Sequence, residues 1–257
     1  MRIVFQVTAA STQQRPGGPC RSAHRCTLGA AGRSRPRSDG PARRLSRDAK
    51  ALFDVDLDVD RVRLLVRRAV PASGSVVVRV TDYDPELNLG HPETATQPRI
   101  LVTTRPACPL TSAPLDVHTC VYERDLPQVT STGLFATIAH RRTARLAGHD
   151  DVLFTAHDGL VSEGATWNIG LFDRTDIIWP DAPVLPGLTM ELLRAANPSH
   201  YRTIRIEEVP SFPAAFATNA AVGVRAIARI DDHDFDDEHP IIATLRENYL
   251  KITPQPV

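Results

Sequence analysis

Lysine is nearly absent from this chain. Lys50 and Lys251 are the only two among 30 basic residues, and the other 28 are arginine. Chemistry that needs a lysine amine therefore has two candidates in 257 residues. Cysteine is scarce as well. Cys20, Cys26, Cys108 and Cys120 are too few for a disulfide-built scaffold of this length, so a reducing cytoplasm is the expected compartment. Net charge is missing too, with 30 basic residues set against 30 acidic ones, which argues against a whole-protein polyanion binder and hence against nucleic acid as partner. No run of 18 apolar residues occurs, so no membrane span is expected. The opening MRIVFQVTAAST is too brief and too mixed with polar residues to read as a signal peptide.

The zero charge hides a split. Residues 15–44 hold eight Arg and one acid, Asp39, while the rest of the chain holds 22 basic and 29 acidic residues. Twenty of those 30 residues are Arg, Gly, Pro or Ser, and no aromatic lies between Phe5 and Phe53. Such a stretch buries too little apolar surface to offset its ordering entropy, and residues 1–44 are expected to be a disordered arm. Cys20, His24 and Cys26 crowd together there, but no second ligand pair with metal spacing follows, so no metal is expected.

Order is expected from Leu45 onward. LSRDAKALF (45–53) reads as a short helix, and Asp58 can cap a second over 59–70, with Val62, Leu65, Val66 and Ala69 on one face. Residues 75–83, 99–105 and 115–123 are β-branched runs bounded by Pro and Gly, hence strands. Two helices and then three strands suggest a small α+β domain over 45–125 with an antiparallel sheet. A crossover at 126–132 leads into a large α+β domain over 126–257. Helices are expected at 133–147, 188–196 and 240–251, and strands at 151–156, 160–163, 167–173, IIWP, YRTIRIEEV, AAFATNAAV and GVRAIARID. His118 and Cys120, two apart on one strand, share a face, and a Cys–His pair there reads as accidental. Two acid-rich segments, Asp231 to Asp234 and Asp236 to His239, lack EF-hand spacing and read as dipole partners of the last helix.

The informative feature is an ordered series in the second half: DDVLFTAHDGLVSEGATWNIGLFD, then PVLPGLTMELL, then AAFATNAAVGVRAIARID, then HPIIATLRENYLKI. From about Leu126 to Ile252 this resembles the class IV aminotransferase family. These are the fold-type IV pyridoxal-phosphate enzymes, which include branched-chain and D-amino-acid transaminases and aminodeoxychorismate lyase. The resemblance implies a two-domain α+β fold with a cofactor cleft between the domains, a homodimer, and a small-molecule substrate.

The resemblance also assigns roles, each with a physical need behind it. A pyridine ring acting as electron sink needs a carboxylate on its nitrogen. Glu163, in Val161-Ser162-Glu163-Gly164, stands at that position, although read alone it is a surface strand carboxylate. Asn168 stands where the family has an Asn supporting the same turn. A phosphate needs converging N–H groups at a helix start. Leu185-Pro186-Gly187-Leu188-Thr189 resembles the family's L-P-G-I-T phosphate turn, so Gly187, Leu188 and Thr189 are cofactor-binding candidates.

Three positions depart from the family. Asn219-Ala220-Ala221 stand where it has G-T-A, removing the Thr hydroxyl that reaches the phosphate. Met190 follows Thr189 where Arg is frequent. The largest departure is at the Schiff-base lysine, about 33 residues before Glu163, where Thr130 stands. A threonine hydroxyl forms no imine and supplies no amine base. Lys50 and Lys251 do not fit that position. The implied cofactor, pyridoxal 5′-phosphate, is therefore expected to be non-covalent or absent. The expected function is transaminase or aminodeoxychorismate lyase-type chemistry on an amino acid or related amine. The alternative is a degenerate or cofactor-independent member that binds a small phosphorylated or carboxylate ligand.

Overall fold

The computed structural model of the chain describes residues 2–11, 40–94, 96–106 and 113–252. Most of the Arg-rich segment, with Cys20, His24 and Cys26, lies outside the described residues, as does Cys108. The described chain falls into two units: residues 2–106 with 129–133, and residues 113–128 with 134–252.

The first unit is two helices on a three-stranded antiparallel sheet. Strand β1 (Arg2–Ser11) pairs with β2 (Gly74–Tyr83), and β2 pairs with β3 (Arg99–Pro106), with Val80 opposite both Phe5 and Val102. The expectation of an arm over residues 1–44 did not set β1 apart. Helix α1 (Pro41–Phe53) starts four residues before the expected Leu45, with Pro at its first turn, where a missing N–H costs no hydrogen bond. Helix α2 (Val59–Ala69) is capped as its sequence predicts, the Asp58 carboxylate accepting from the N–H groups of Asp60 and Arg61 at 3.0 Å. Leu45, Ala49 and Phe53, spaced four apart on α1, meet Val62 and Val66 of α2 and the Val78–Val80 row of β2.

The second unit is built on a nine-stranded mixed sheet. In chain order its elements are β4 (Leu115–Val121), α3 (Phe135–Leu146), β5 (Asp151–Thr155), β6 (Val161–Gly164), β7 (Asn168–Phe172) and β8 (Ile177–Pro180). Then come α4 (Leu188–Ala196), β9 (Ser199–Arg202), β10 (Ala214–Asn219), β11 (Gly223–Ile230), β12 (His233–Asp234) and α5 (Pro240–Lys251). The spatial order is β6-β5-β4-β11-β10-β7-β8-β9, with β12 paired to β11. Strand β4, grouped by sequence with the strands before it, lies instead between β5 and β11, parallel to both. Its buried Leu115 and Val117 complete the core that Leu153, Ile169, Leu171, Ile178 and Ile227 form.

One expected strand is not one. In YRTIRIEEV only the first two residues belong to a strand, Arg205 makes a single bridge to Leu160, and Ile206–Ser211 is a 3-10 turn. The Glu208 carboxylate accepts the Arg205 N–H at 2.8 Å and closes the turn, a local bond that the β-branched pattern concealed. Helix α4 and helix α5 pack through Met190, Leu193, Ile242 and Leu245 onto Trp179, Phe216 and Ala226, which fixes where α4 begins. No helix among the described residues is long and apolar enough to cross a membrane.

Candidate functional site

Three residues, Ala165 to Trp167, separate β6 from β7, and the side chains of Glu163 and Asn168 on either side of that turn point back to one place. Glu163 is 6% exposed. Its Oε1 accepts from Arg124 Nη1 at 3.2 Å, and its Oε2 accepts from the Leu185 N–H, also at 3.2 Å. Burial pushes the carboxyl up to about 7, against the charge and hydrogen bond of Arg124 and the Leu185 N–H. Asn168, buried at the start of β7, donates from Nδ2 to the Leu185 carbonyl at 2.8 Å and accepts at Oδ1 from the Gly187 N–H at 3.0 Å. Two side chains thus hold three backbone groups of the segment entering α4, the Leu185 N–H and carbonyl and the Gly187 N–H.

Gly187 is the N-cap of α4, and no side chain caps that helix. A Cβ at Gly187 would lie 2.1 Å from Asn168 Oδ1, so a glycine is needed for the amide to reach its acceptor. The first backbone bond of the helix runs from the Glu191 N–H to the Gly187 carbonyl at 2.9 Å. Leu188 opens the helix, and Thr189 is buried in its first turn. The helix start carries partial positive charge beside the Glu163 carboxylate's partner, Leu185.

Asn219 and Ala220 close the turn between β10 and β11. Asn219 Oδ1 accepts from the N–H groups of Ala221 and Val222 at 2.9 Å each, while its Nδ2 reaches the Thr166 carbonyl at 3.3 Å. The turn is therefore tied to the 164–167 loop, and two of its amides are spent on the asparagine's own side chain. Seven of the predicted site residues, Glu163, Asn168, Gly187, Leu188, Thr189, Asn219 and Ala220, lie in the second unit. The eighth, Thr130, belongs to the first. Its N–H donates to Asp48 Oδ2 at 3.0 Å, and its Oγ1 is buried with no hydrogen-bond partner among the described residues.

Sequence reasoning missed Arg124, because its partner lies 39 residues away and nothing in RDLPQ marks a buried guanidinium. His118 and Cys120 do not pair with each other. His118 Nδ1 meets Asp231 Oδ1 at 2.7 Å and its ring stacks on His149, whereas Cys120 Sγ lies 3.1 Å from His140 Nδ1 on α3. Asp231 also accepts from the N–H and hydroxyl of Thr119, and these bonds hold it at a φ of 49°, in the left-handed region. No cluster of three metal-ligating side chains occurs among the described residues.

The model of the family described as "Amino-transferase class IV" matches residues 36–230. The chain belongs to the class IV aminotransferase family. A protein of Thermotoga maritima named "Probable branched-chain-amino-acid aminotransferase" is 31% identical over 108 residues, which are 38% of this chain and 40% of that protein. Among solved structures, the branched-chain aminotransferase of Thermoproteus uzoniensis with norvaline superposes with a TM-score of 0.81 at 20% identity, covering 98% of this chain and 84% of its own. An aminotransferase of Brucella abortus bound to pyridoxal phosphate gives a TM-score of 0.76 at 18% identity, covering 97% and 88%. The fold is thus that of the fold-type IV aminotransferases.

The family is pyridoxal-phosphate-dependent, and the residues present can be tested against that group. A buried acceptor carboxylate at Glu163 suits a ring nitrogen, and the start of α4, uncapped by any side chain, suits a phosphate. No lysine amine stands near either feature in sequence. Both lysines sit in exposed ion pairs, Lys50 with Asp54 at 2.9 Å and Asp56 at 3.4 Å, Lys251 with Glu247 at 3.6 Å. The buried carboxylate and the uncapped helix start fit the cofactor's ring and phosphate.

Proposed function

We propose that this protein is a class IV aminotransferase-like protein that holds pyridoxal 5′-phosphate, or its amine form, without a covalent bond. Glu163 would face the ring nitrogen, Gly187, Leu188 and Thr189 the phosphate, with Asn219 and Ala220 beside it, and Thr130 would occupy the lysine's position. The single observation that carries the reading is the paired hold of Glu163 and Asn168 on the 185–187 segment, which presents a carboxylate and a helix start from one turn. When bound, the cofactor supplies an electron sink for bonds at the carbon bearing the amine. The protein's own part would be to keep the Glu163 carboxylate against the protonated ring nitrogen and to orient the phosphate on α4. Substrates of this reading are amino acids or related amines, in transamination or aminodeoxychorismate lyase-type chemistry.

Equilibrium binding of pyridoxamine 5′-phosphate, followed by the chain's two tryptophans, tests the reading. We expect binding by the unaltered chain and at least a tenfold loss in Glu163→Gln, whose amide accepts from a protonated ring nitrogen but cannot neutralise it. No binding by the unaltered chain contradicts the proposal.

The same proposal includes a homodimer. It is supported by α3, whose Phe135, Ile138 and Leu146 lie on one stripe and are 88%, 61% and 71% exposed. Sedimentation at micromolar concentration should return twice the chain mass, and a monomer contradicts this part.

A second reading has its own support. The spent amides of Ala221 and Val222, together with the two ion-paired lysines, favour a member that binds a small phosphorylated or carboxylate ligand and no longer uses the cofactor. Inorganic phosphate binding with no discrimination between pyridoxamine 5′-phosphate and a plain phosphate monoester would favour it.

A further inference from the structure

The turn that carries Glu163 and Asn168 is itself held from below by a group so far without a role. Asp151, the first residue of β5, is 1% exposed and takes three donors. Its Oδ2 accepts from Trp167 Nε1 at 3.0 Å and from Arg141 Nη2 of α3 at 2.5 Å, and its Oδ1 accepts from the Val152 N–H at 2.9 Å. Arg141 also reaches Thr166 Oγ1 at 3.5 Å. A buried carboxylate with a guanidinium and an indole N–H on one oxygen has little freedom, because moving it strands a charge away from water.

The indole passes that constraint on. The Gly164 N–H donates to the Trp167 carbonyl at 2.8 Å, closing the turn at its backbone. The Trp167 ring occupies the space beside Gly164, where a Cβ would lie 1.9 Å from Cε2. Gly164 and Trp167 therefore interlock, and the residues next outside them are Glu163 and Asn168. From there the hydrogen bonds run to Leu185 and Gly187 and so to the first turn of α4.

We infer that Asp151 is a positioning residue of this site. Through Trp167 its carboxylate sets the spacing of Glu163 and Asn168, and through them the placement of the α4 N-terminus. The inference rests on reading that turn as the cofactor site, but the linkage itself exists without any ligand. A plain core-stability role predicts something different. Loss of Asp151 would then weaken the whole unit evenly, whereas a positioning role loosens the 185–187 segment first.

Amide hydrogen exchange on the full chain separates the two, with Asp151→Asn and Trp167→Phe as variants. The second removes the indole donor, keeps an aromatic ring at that place though a smaller one, and leaves the Arg141–Asp151 pair intact, so it carries the test if Asp151→Asn folds poorly. In each folded variant we expect the Leu185 and Gly187 amides to exchange at least tenfold faster than the β10–β11 ladder predicts. We also expect pyridoxamine 5′-phosphate to bind at least tenfold more weakly. Exchange at Leu185 and Gly187 that merely tracks the β10–β11 ladder overturns the inference. Fast exchange at those amides in a chain that binds no pyridoxamine 5′-phosphate even when unaltered keeps the linkage and refutes the proposed function instead.

Discussion

Asp82 shows how a single buried side chain sets a pH dependence for the whole first unit. It lies on β2 in the row of Val78 and Val80, fully buried, and no hydrogen bond of ordinary geometry reaches its oxygens among the described residues. Burial first, and the charge of Asp84 second, push its carboxyl up to about 6, with the backbone N–H of Tyr83 pulling weakly the other way. A carboxyl whose folded pKa lies above its unfolded one keeps a proton that the unfolded chain has released. Stability is therefore lost as pH rises from about 4 through about 6 and is level above that. Glu163 adds the same sign over a window reaching about 7. We expect Asp82→Asn to be the more stable protein at pH 7.5 by about 1–3 kcal/mol and to show a flatter profile between pH 4 and 6. Urea midpoints at the two ends of the range check this, and an equal change at both ends refutes the burial account.

Residues of this kind are hard to see in a sequence. Glu163 and Asn168 could be singled out because a motif surrounds them, but their neighbours could not. Arg124, Asp151 and Trp167 act through contacts 39 and 16 residues apart, and an arginine in a polar loop looks the same whether it is solvated or buried against a carboxylate. The true partner of Cys120 was hidden for a related reason. Strand periodicity places two side chains on one face without saying what else comes to that face, and α3 brings His140.

Among the elements, those with a local chemical signal were read correctly. Asp58 and the apolar stripe after it define α2, and His239 with Pro240 opens α5, where the His239 ring accepts the Ile241 N–H at 3.2 Å. Truncating the α2 cap in Asp58→Ala should cost about 1 kcal/mol, read as a lower thermal midpoint with unchanged helix content. An unaltered midpoint would mean that packing of Val62 and Val66 alone decides where the helix begins. The elements read wrongly lacked such a signal or carried a misleading one. The strand pattern of YRTIRIEEV gives way to the Glu208–Arg205 bond, and β4 left the small sheet because parallel pairing with β5 and β11 buries Leu115 and Val117. Strand β1 was passed over because ten residues beside an arginine-rich stretch carry little weight until β2 is there to pair with them.

At the scale of the whole molecule the order of motifs carried most of the information. VSEG, LPGLT and the NAAVG turn stand in the order that the class IV family requires, and the second unit brings all three to the sites around β6, β7, β10 and α4. Sequence alone could also show what is missing, since counting lysines needs no coordinates. How Thr130 meets that lack is a matter of chemistry more than fold, and incubation with pyridoxal 5′-phosphate followed by borohydride and intact-mass analysis addresses it most directly. The unaltered chain should show bound cofactor by absorbance that dialysis removes and borohydride does not fix, while Thr130→Lys should gain one borohydride-stable adduct, mapped to residue 130. Stoichiometric fixation of the unaltered chain at Lys50 or Lys251, or a Thr130→Lys chain that binds cofactor yet stays unmodified, would contradict the account.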